Sequence, residues 1–176
     1  MKPILLLISM LCFFNSVAQL NYSLDTIQWR ADYQLKPEDF KGKMDSNSIF
    51  SASSGITLYY RYSILADVDS FSFKTYCIFD RQASWLNRTY LCENLMEHEQ
   101  GHFNIGEIFR RKLDSVYHNY KPRKYFIGED LKALFNSIKV EMYVFDADYD
   151  IACARPPDPA QQKIWTKKIL DMLNEY

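Results

Sequence analysis

The 176-residue chain has few cysteines and no arrangement of them that would build a disulfide framework. Cys12 lies inside an N-terminal apolar run, which leaves Cys77, Cys92 and Cys153 for the rest of the chain. Three thiols cannot all pair within one chain, and their spacing forms no Cys-x-x-Cys zinc or redox motif. We therefore expect buried thiols, with one disulfide at most.

An excess of charge of one sign is also absent. The chain has 21 Lys and Arg against 22 Asp and Glu, mixed along the sequence. Because proteins that bind nucleic acid carry a clustered excess of positive charge, nucleic acid is not an expected partner. After the first residues there is no second long apolar run, repeat, linker or low-complexity segment, so we expect one soluble domain without stable membrane insertion.

The first 18 residues have the three parts of a secretory signal. Lys2 is followed by an apolar run from Ile4 to Phe14, and Ser16-Val17-Ala18 provides a small-x-small cleavage site before Gln19. The run is shorter than a membrane span requires. We expect cleavage, export to the periplasm or the medium, and a single domain over residues 19–176.

The most specific motif is His98-Glu99-Gln100-Gly101-His102, which has the form His-Glu-x-x-His. On an α-helix, residues four apart lie on one face, so both imidazoles can bind one Zn²⁺ while Glu99 acts as the general base on a metal-bound water. Two core histidines bonded to backbone carbonyls, beside a solvated Glu99, remain an alternative interpretation. His118, in the run Tyr-His-Asn-Tyr that precedes Lys121-Pro122, is expected to be exposed or capping.

The residues around the motif predict a helix over about 90–117. Apolar residues and the two histidines are spaced three or four apart, in one inward stripe: Leu91, Leu95, His98, His102, Ile105, Phe109 and Leu113. The ligands would therefore face the core. Gly101 is costly inside a helix, and its missing side chain would leave room for a close approach near the site.

The remaining patterns predict an α+β fold, in which a short antiparallel hairpin precedes the metal-site helix and two further helices. Residues 55–64 and 70–79 are rich in β-branched and aromatic residues and should pair. Their exposed edge would hold an extended peptide, or the sheet is purely structural. A second helix is predicted over 129–145. A third begins at the N-cap Asp158 and runs to about Asn174, with inward side chains: Ile164, Trp165, Ile169 and Leu173.

Taken together, these features resemble a bacterial secreted family, domain of unknown function 922. The resemblance covers nearly the whole chain after the signal and rests on the following residues: Trp29, Asp39-Phe40-Lys41-Gly42, Ser84-Trp85, the run from His98 to Glu107, Tyr149-Asp150 and Gln162-x-x-Trp165. That family is grouped with zincin-like metallopeptidases. The resemblance implies a zincin-like domain, a zinc cofactor bound by His98 and His102, Glu99 as base, and a peptide or protein substrate.

The third zinc ligand departs from the family's pattern. There, Tyr-Asp is followed by a Thr and then by a His, where this chain has Cys153 and Arg155. A guanidinium has no lone pair to offer a metal. Asp150 is the favoured candidate and Glu141 the next, whereas Glu107 points to the opposite side of a straight helix from His98.

The predicted function is that of a secreted zinc-dependent metallopeptidase that hydrolyses peptide bonds through metal-activated water. Tyr143 and Tyr149 are both open as donors to the oxyanion. The alternative is a non-catalytic, degenerate zincin-like binding domain of the cell envelope, and hydrolysis of another amide, such as one in cell-wall peptide, is a third option. The oligomeric state is left open.

Overall fold

The structure is a computed structural model that describes residues 25–64, 71–90, 93–121, 127–154 and 157–175. The predicted signal peptide, the tip of the hairpin, Leu91, Cys92 and Arg155 lie outside the described residues. Within them the chain is a mixture of helices and small antiparallel sheets, which confirms the predicted α+β class.

The described elements are five strands and three α-helices, together with single 3-10 turns at Pro37–Asp39 and Arg88–Tyr90. Their bounds are β1 Thr26–Gln28, β2 Ala52–Ser53, β3 Ile56–Ile64, β4 Phe71–Asp80, β5 Trp85–Leu86, α1 Glu93–His118, α2 Ile127–Cys153 and α3 Pro159–Glu175. One sheet has the order β1-β4-β3, and the other pairs β2 with β5.

The predicted hairpin is confirmed. β3 and β4 pair antiparallel from Ile56 opposite Phe79 to Ile64 opposite Phe71. β1 joins the other side of β4, so β4 is central and β3 is an edge strand. Leu58, Cys77 and Phe79 are buried on one face of the sheet, and Ile78, which points to the opposite face, is buried as well.

Helix α1 is the centre of the core, and its predicted position is confirmed within three residues. The sheet covers one side of it and α2 and α3 cover another, so Phe103, Ile105 and Leu113 are fully buried. At Gly106 an added Cβ would lie 2.7 Å from Ile56 Cγ2 and 2.8 Å from Cys77 Sγ. The missing side chain lets α1 lie close against the sheet.

Helix α2 is longer than predicted, because it continues from Phe145 to Cys153. The prediction ended it at the run of aspartates that follows. No glycine or proline interrupts this stretch, however, and Met142, Tyr149 and Cys153 continue the buried stripe at helical spacing. Asp150 therefore lies within a helix and not after one.

Helix α3 begins as predicted, because Asp158 Oδ1 accepts hydrogen bonds from the backbone N–H groups of Ala160 at 2.9 Å and Gln161 at 3.1 Å. Ile169 and Leu173 are buried. The prediction that Ile164 packs inward is wrong, because its side chain is 60% exposed. It lies two residues after the buried Gln162, which turns it about 200° away from the packed face.

The two cysteines that the structure describes, Cys77 and Cys153, are buried free thiols, as expected. None of the helices in the described ranges has the length and apolarity needed to cross a membrane.

Candidate metal centre

Three side chains from α1 and α2 converge on one point. His98 and His102 occupy successive turns of α1, and their Nε2 atoms lie 3.1 Å apart. Asp150 approaches from α2, and its Oδ1 lies 3.2 Å from each Nε2. Among the described residues, these three form the group of His, Cys, Asp or Glu side chains close enough to share a metal ion.

The hydrogen bonds of Gln162 fix the tautomer of His98. The Tyr149 hydroxyl donates to the backbone carbonyl of His98, and the Thr166 hydroxyl donates to Glu97. Both hydroxyls therefore accept from the Gln162 amide nitrogen, at 2.7 and 3.2 Å. The Gln162 oxygen then faces His98 Nδ1 at 3.1 Å, so Nδ1 carries the proton and Nε2 presents a lone pair.

His102 is oriented by a carboxylate in the same way. Its Nδ1 lies 2.6 Å from Asp146 Oδ1, so this nitrogen donates and Nε2 faces the convergence point. Asp146 lies one turn before Asp150 on α2. A histidine–carboxylate pair of this kind is a common outer partner of a metal ligand, because it holds the ring in one tautomer.

The arrangement fits a metal ion. Two imidazole lone pairs and a carboxylate oxygen repel one another unless a cation or a proton lies between them. Their separations of 3.1–3.2 Å are close to the roughly 3.3 Å between donor atoms of a tetrahedral site with bonds of about 2.0–2.1 Å. Neutral imidazoles and a carboxylate are also the donors that zinc accepts.

Without a metal, the same cluster holds a proton. Burial alone would lower the pKa of His102, but its hydrogen bonds to Asp146 and Asp150 and the charges of Asp146 and Glu99 raise that pKa to about 10. Burial alone would raise the pKa of Asp150, but the two histidines hold it well below its usual value. The ring nitrogens contact side chains, not the backbone carbonyls that the core-histidine interpretation requires.

Tyr149 packs against His98 on the buried side of the cluster. Its ring stacks on His98 with centroids 4.6 Å apart, and burial raises the pKa of its hydroxyl well above the usual value. A Cβ on Gly101 would overlap this hydroxyl, so Tyr149 is what approaches the helix at the glycine. Neither Tyr149, which is buried, nor Tyr143, which is exposed beside Lys139, lines the cleft over the cluster.

Glu99 lies beside the convergence point. It is buried, at 4% exposure, and its Oε2 accepts a hydrogen bond of 2.5 Å from the Ser54 hydroxyl. Both residues line the same cleft as the two histidines. The structure therefore brings the predicted base together with the predicted ligands.

The other acidic candidates lie elsewhere. Glu141 forms an ion pair with Lys112 of α1 and is nine residues before Asp150, about 13 Å away along the helix. Glu107 is buried between Arg110 and Arg111, with ion pairs of 2.7 Å to each. Neither carboxylate belongs to the cluster.

The cleft over the cluster has a volume of about 470 Å³. Its floor is α1, one wall is the segment 49–54 that contains β2, and the other wall is the end of α2 with the start of α3. The hairpin strands β3 and β4 do not line it. The edge that borders the site is therefore β2 and not the predicted hairpin edge.

Sequence reasoning did not identify Asp146 and Gln162 as partners of the histidines. Asp146 and Asp150 have the same i, i+4 spacing as His98 and His102, and this spacing would have indicated a second polar face had α2 been extended. Gln162 belongs to the Gln162-x-x-Trp165 pattern of the resemblance, but its role as a partner of His98 depends on how α3 packs against α1.

Comparison of the chain with protein-family models found no match, and comparisons with curated proteins and with solved structures found no similar protein. The resemblance to domain of unknown function 922 stays a prediction.

Proposed function

We propose that this chain is a zinc-dependent peptidase in which His98, His102 and Asp150 hold the ion. The observation that carries the proposal is the convergence of three donor atoms, His98 Nε2, His102 Nε2 and Asp150 Oδ1. The other ring nitrogen of each histidine is already bonded, to Gln162 for His98 and to Asp146 for His102. A zinc ion bound there would polarise a carbonyl group and lower the pKa of a coordinated water toward neutrality.

Glu99 is the proposed general base. It takes a proton from the attacking water and returns it to the leaving amine, a role that requires a carboxylate at the edge of the cleft. Ser54 holds one of its oxygens and fixes the orientation of the side chain. Glu99 and the two histidines lie within two turns of α1, so the helix backbone sets their relative positions.

The wall formed by residues 51–54 is the proposed site for the substrate backbone. β2 pairs with β5 along one edge, and the segment lines the cleft. An extended peptide can add to such a segment through backbone hydrogen bonds, which bind without regard to side chains. We propose that this peptidase acts outside the cytoplasm, because residues 1–18 are predicted to be a signal peptide.

The rival proposal is a non-catalytic binding domain of the cell envelope. One observation favours it: with a proton on His102, the cluster is satisfied by Asp146 and Asp150 without any metal. Under this proposal the protein would bind partners without cleaving them.

The deciding experiment compares Glu99→Gln with the parent, using unfolded casein as substrate. The control is Glu129→Gln, which makes the same change at an exposed position in the first turn of α2. We expect the parent and the control to cleave casein, and Glu99→Gln to keep its zinc while losing at least about 100-fold in rate. Equal cleavage by Glu99→Gln would contradict the role of Glu99, and a folded parent that binds zinc without cleaving would favour the rival.

A further inference from the structure

An exposed apolar side chain stands on the rim of the cleft. Ile49 precedes β2, lines the cleft and is 90% exposed, and its neighbour Phe50 lines the same wall at 40% exposure. A single exposed isoleucine is ordinary on a protein surface. Here, however, it belongs to the same cleft as His98 and His102, so anything bound over the cluster would contact it.

Other apolar residues line the floor and the opposite wall of the cleft. Leu95 of α1 lies on the floor, and Ala154 and Pro157 stand on the opposite side, after the end of α2. A bulky side chain that entered between these walls would be removed from water together with Ile49. Burial of apolar surface of this kind is the main source of affinity in clefts of this size.

When zinc is bound and both histidines are neutral, the charged side chains among the described residues that line the cleft are all carboxylates. These include Glu99, Asp146, Asp150 and Asp158, with no Lys or Arg. A doubly charged zinc ion would offset only part of this negative charge. An acidic side chain beside the cluster would be repelled by these carboxylates.

We infer that the substrate is a peptide segment with a bulky apolar side chain beside the cleaved bond and without an acidic residue there. This inference rests on the proposed peptidase function, and it adds the class of sequence that the cleft accepts. Along an extended peptide on segment 51–54, alternate side chains would point to the same side, so one of each pair faces the apolar wall.

The test uses four peptides that share one sequence and differ at a single central position, which is Leu, Ser, Lys or Glu. Cleavage is measured with the parent, and binding is measured by fluorescence anisotropy with zinc-loaded Glu99→Gln. Ile49→Ser is compared with Ile164→Ser, which makes the same change at a 60% exposed position of α3 that does not line the cleft. Circular dichroism establishes that both variants are folded.

We expect the Leu peptide to be bound and cleaved best, the Glu peptide at least tenfold less well than the Ser peptide, and the Lys peptide no worse than the Ser peptide. Ile49→Ser should lose about five- to tenfold in kcat/KM for the Leu peptide but not for the Ser peptide, and Ile164→Ser should equal the parent.

Cleavage of all four peptides at equal rates would overturn the inference while leaving the peptidase proposal in place. Preferential binding of the Leu peptide without cleavage by the parent would overturn the peptidase proposal and keep the apolar preference. Equal loss in Ile49→Ser and Ile164→Ser would overturn the role assigned to Ile49.

Discussion

Replacing Asp146 by Ala removes the carboxylate that bonds His102 Nδ1 at 2.6 Å. The three proposed metal ligands themselves stay unchanged. The His102 ring would then lose the contact that fixes its tautomer and orientation. Removing a partner of this type costs about 10–100-fold in metal affinity. Because the Asp146 side chain is 36% exposed, water can replace part of the lost hydrogen bond. We therefore expect the lower half of that range, about ten- to thirtyfold, or about 1.4–2 kcal/mol.

The assay is a competition titration of zinc against a chromophoric chelator at one pH and ionic strength. Asp148→Ala is the matched control, because it removes one negative charge from an exposed position two residues further along α2. It should change the zinc Kd by less than about threefold, since screened surface charges act weakly. An equal loss in Asp146→Ala and Asp148→Ala would refute the reasoning, because it would mean that Asp146 acts only through its charge.

Three further predictions concern the same cluster. Gly101→Ala should lower the free energy of unfolding, measured in urea, by about 1–2 kcal/mol, because overlap of the new Cβ with Tyr149 outweighs the gain of about 1 kcal/mol in helix propensity. A net stabilisation would contradict the close packing of Tyr149 against Gly101. In metal-free protein the pKa of His102 is about 10 when folded and about 6.5 when unfolded, so the stabilisation from its proton is complete below pH 6.5. This stabilisation is lost as the pH rises to about 10, by at most about 1.4 kcal/mol per pH unit. Urea unfolding in EDTA at several pH values would show no such fall if His102 were neutral. Asp150→Ala should weaken zinc binding by more than about 100-fold and Glu141→Ala by less than about threefold in the same chelator titration; the reverse order would move the third ligand to Glu141.

The parts of the site that could be predicted from the sequence are those set by local geometry. The i, i+4 spacing of His98 and His102 places both rings on one face of any helix that contains them, and Glu99 follows from the same helix. The hairpin was predictable because two β-rich segments were separated by a short polar turn. The third helix was predictable at its start, because an N-cap residue acts on the backbone next to it.

The parts that could not be predicted depend on tertiary packing. The aspartates after Phe145 have the composition of a loop, but burial of Tyr149 and Cys153 against neighbouring helices keeps the chain helical. The roles of Asp146 and Gln162 depend on α2 and α3 crossing α1 at the level of the histidines. Ile164 was assigned to the wrong face because the apolar pattern of α3 does not show which of its sides is covered.

The measurement that tests the central claim most directly is the zinc content of the purified protein, determined by elemental analysis after identical metal exposure of three proteins. They are the parent, His102→Ala and His118→Ala, in which the last substitution removes the exposed histidine at the end of α1. We predict about one zinc per chain in the parent and in His118→Ala, and almost none in folded His102→Ala. A folded parent without zinc, or a His102→Ala protein that keeps it, would contradict the assignment of His98, His102 and Asp150 as a metal centre.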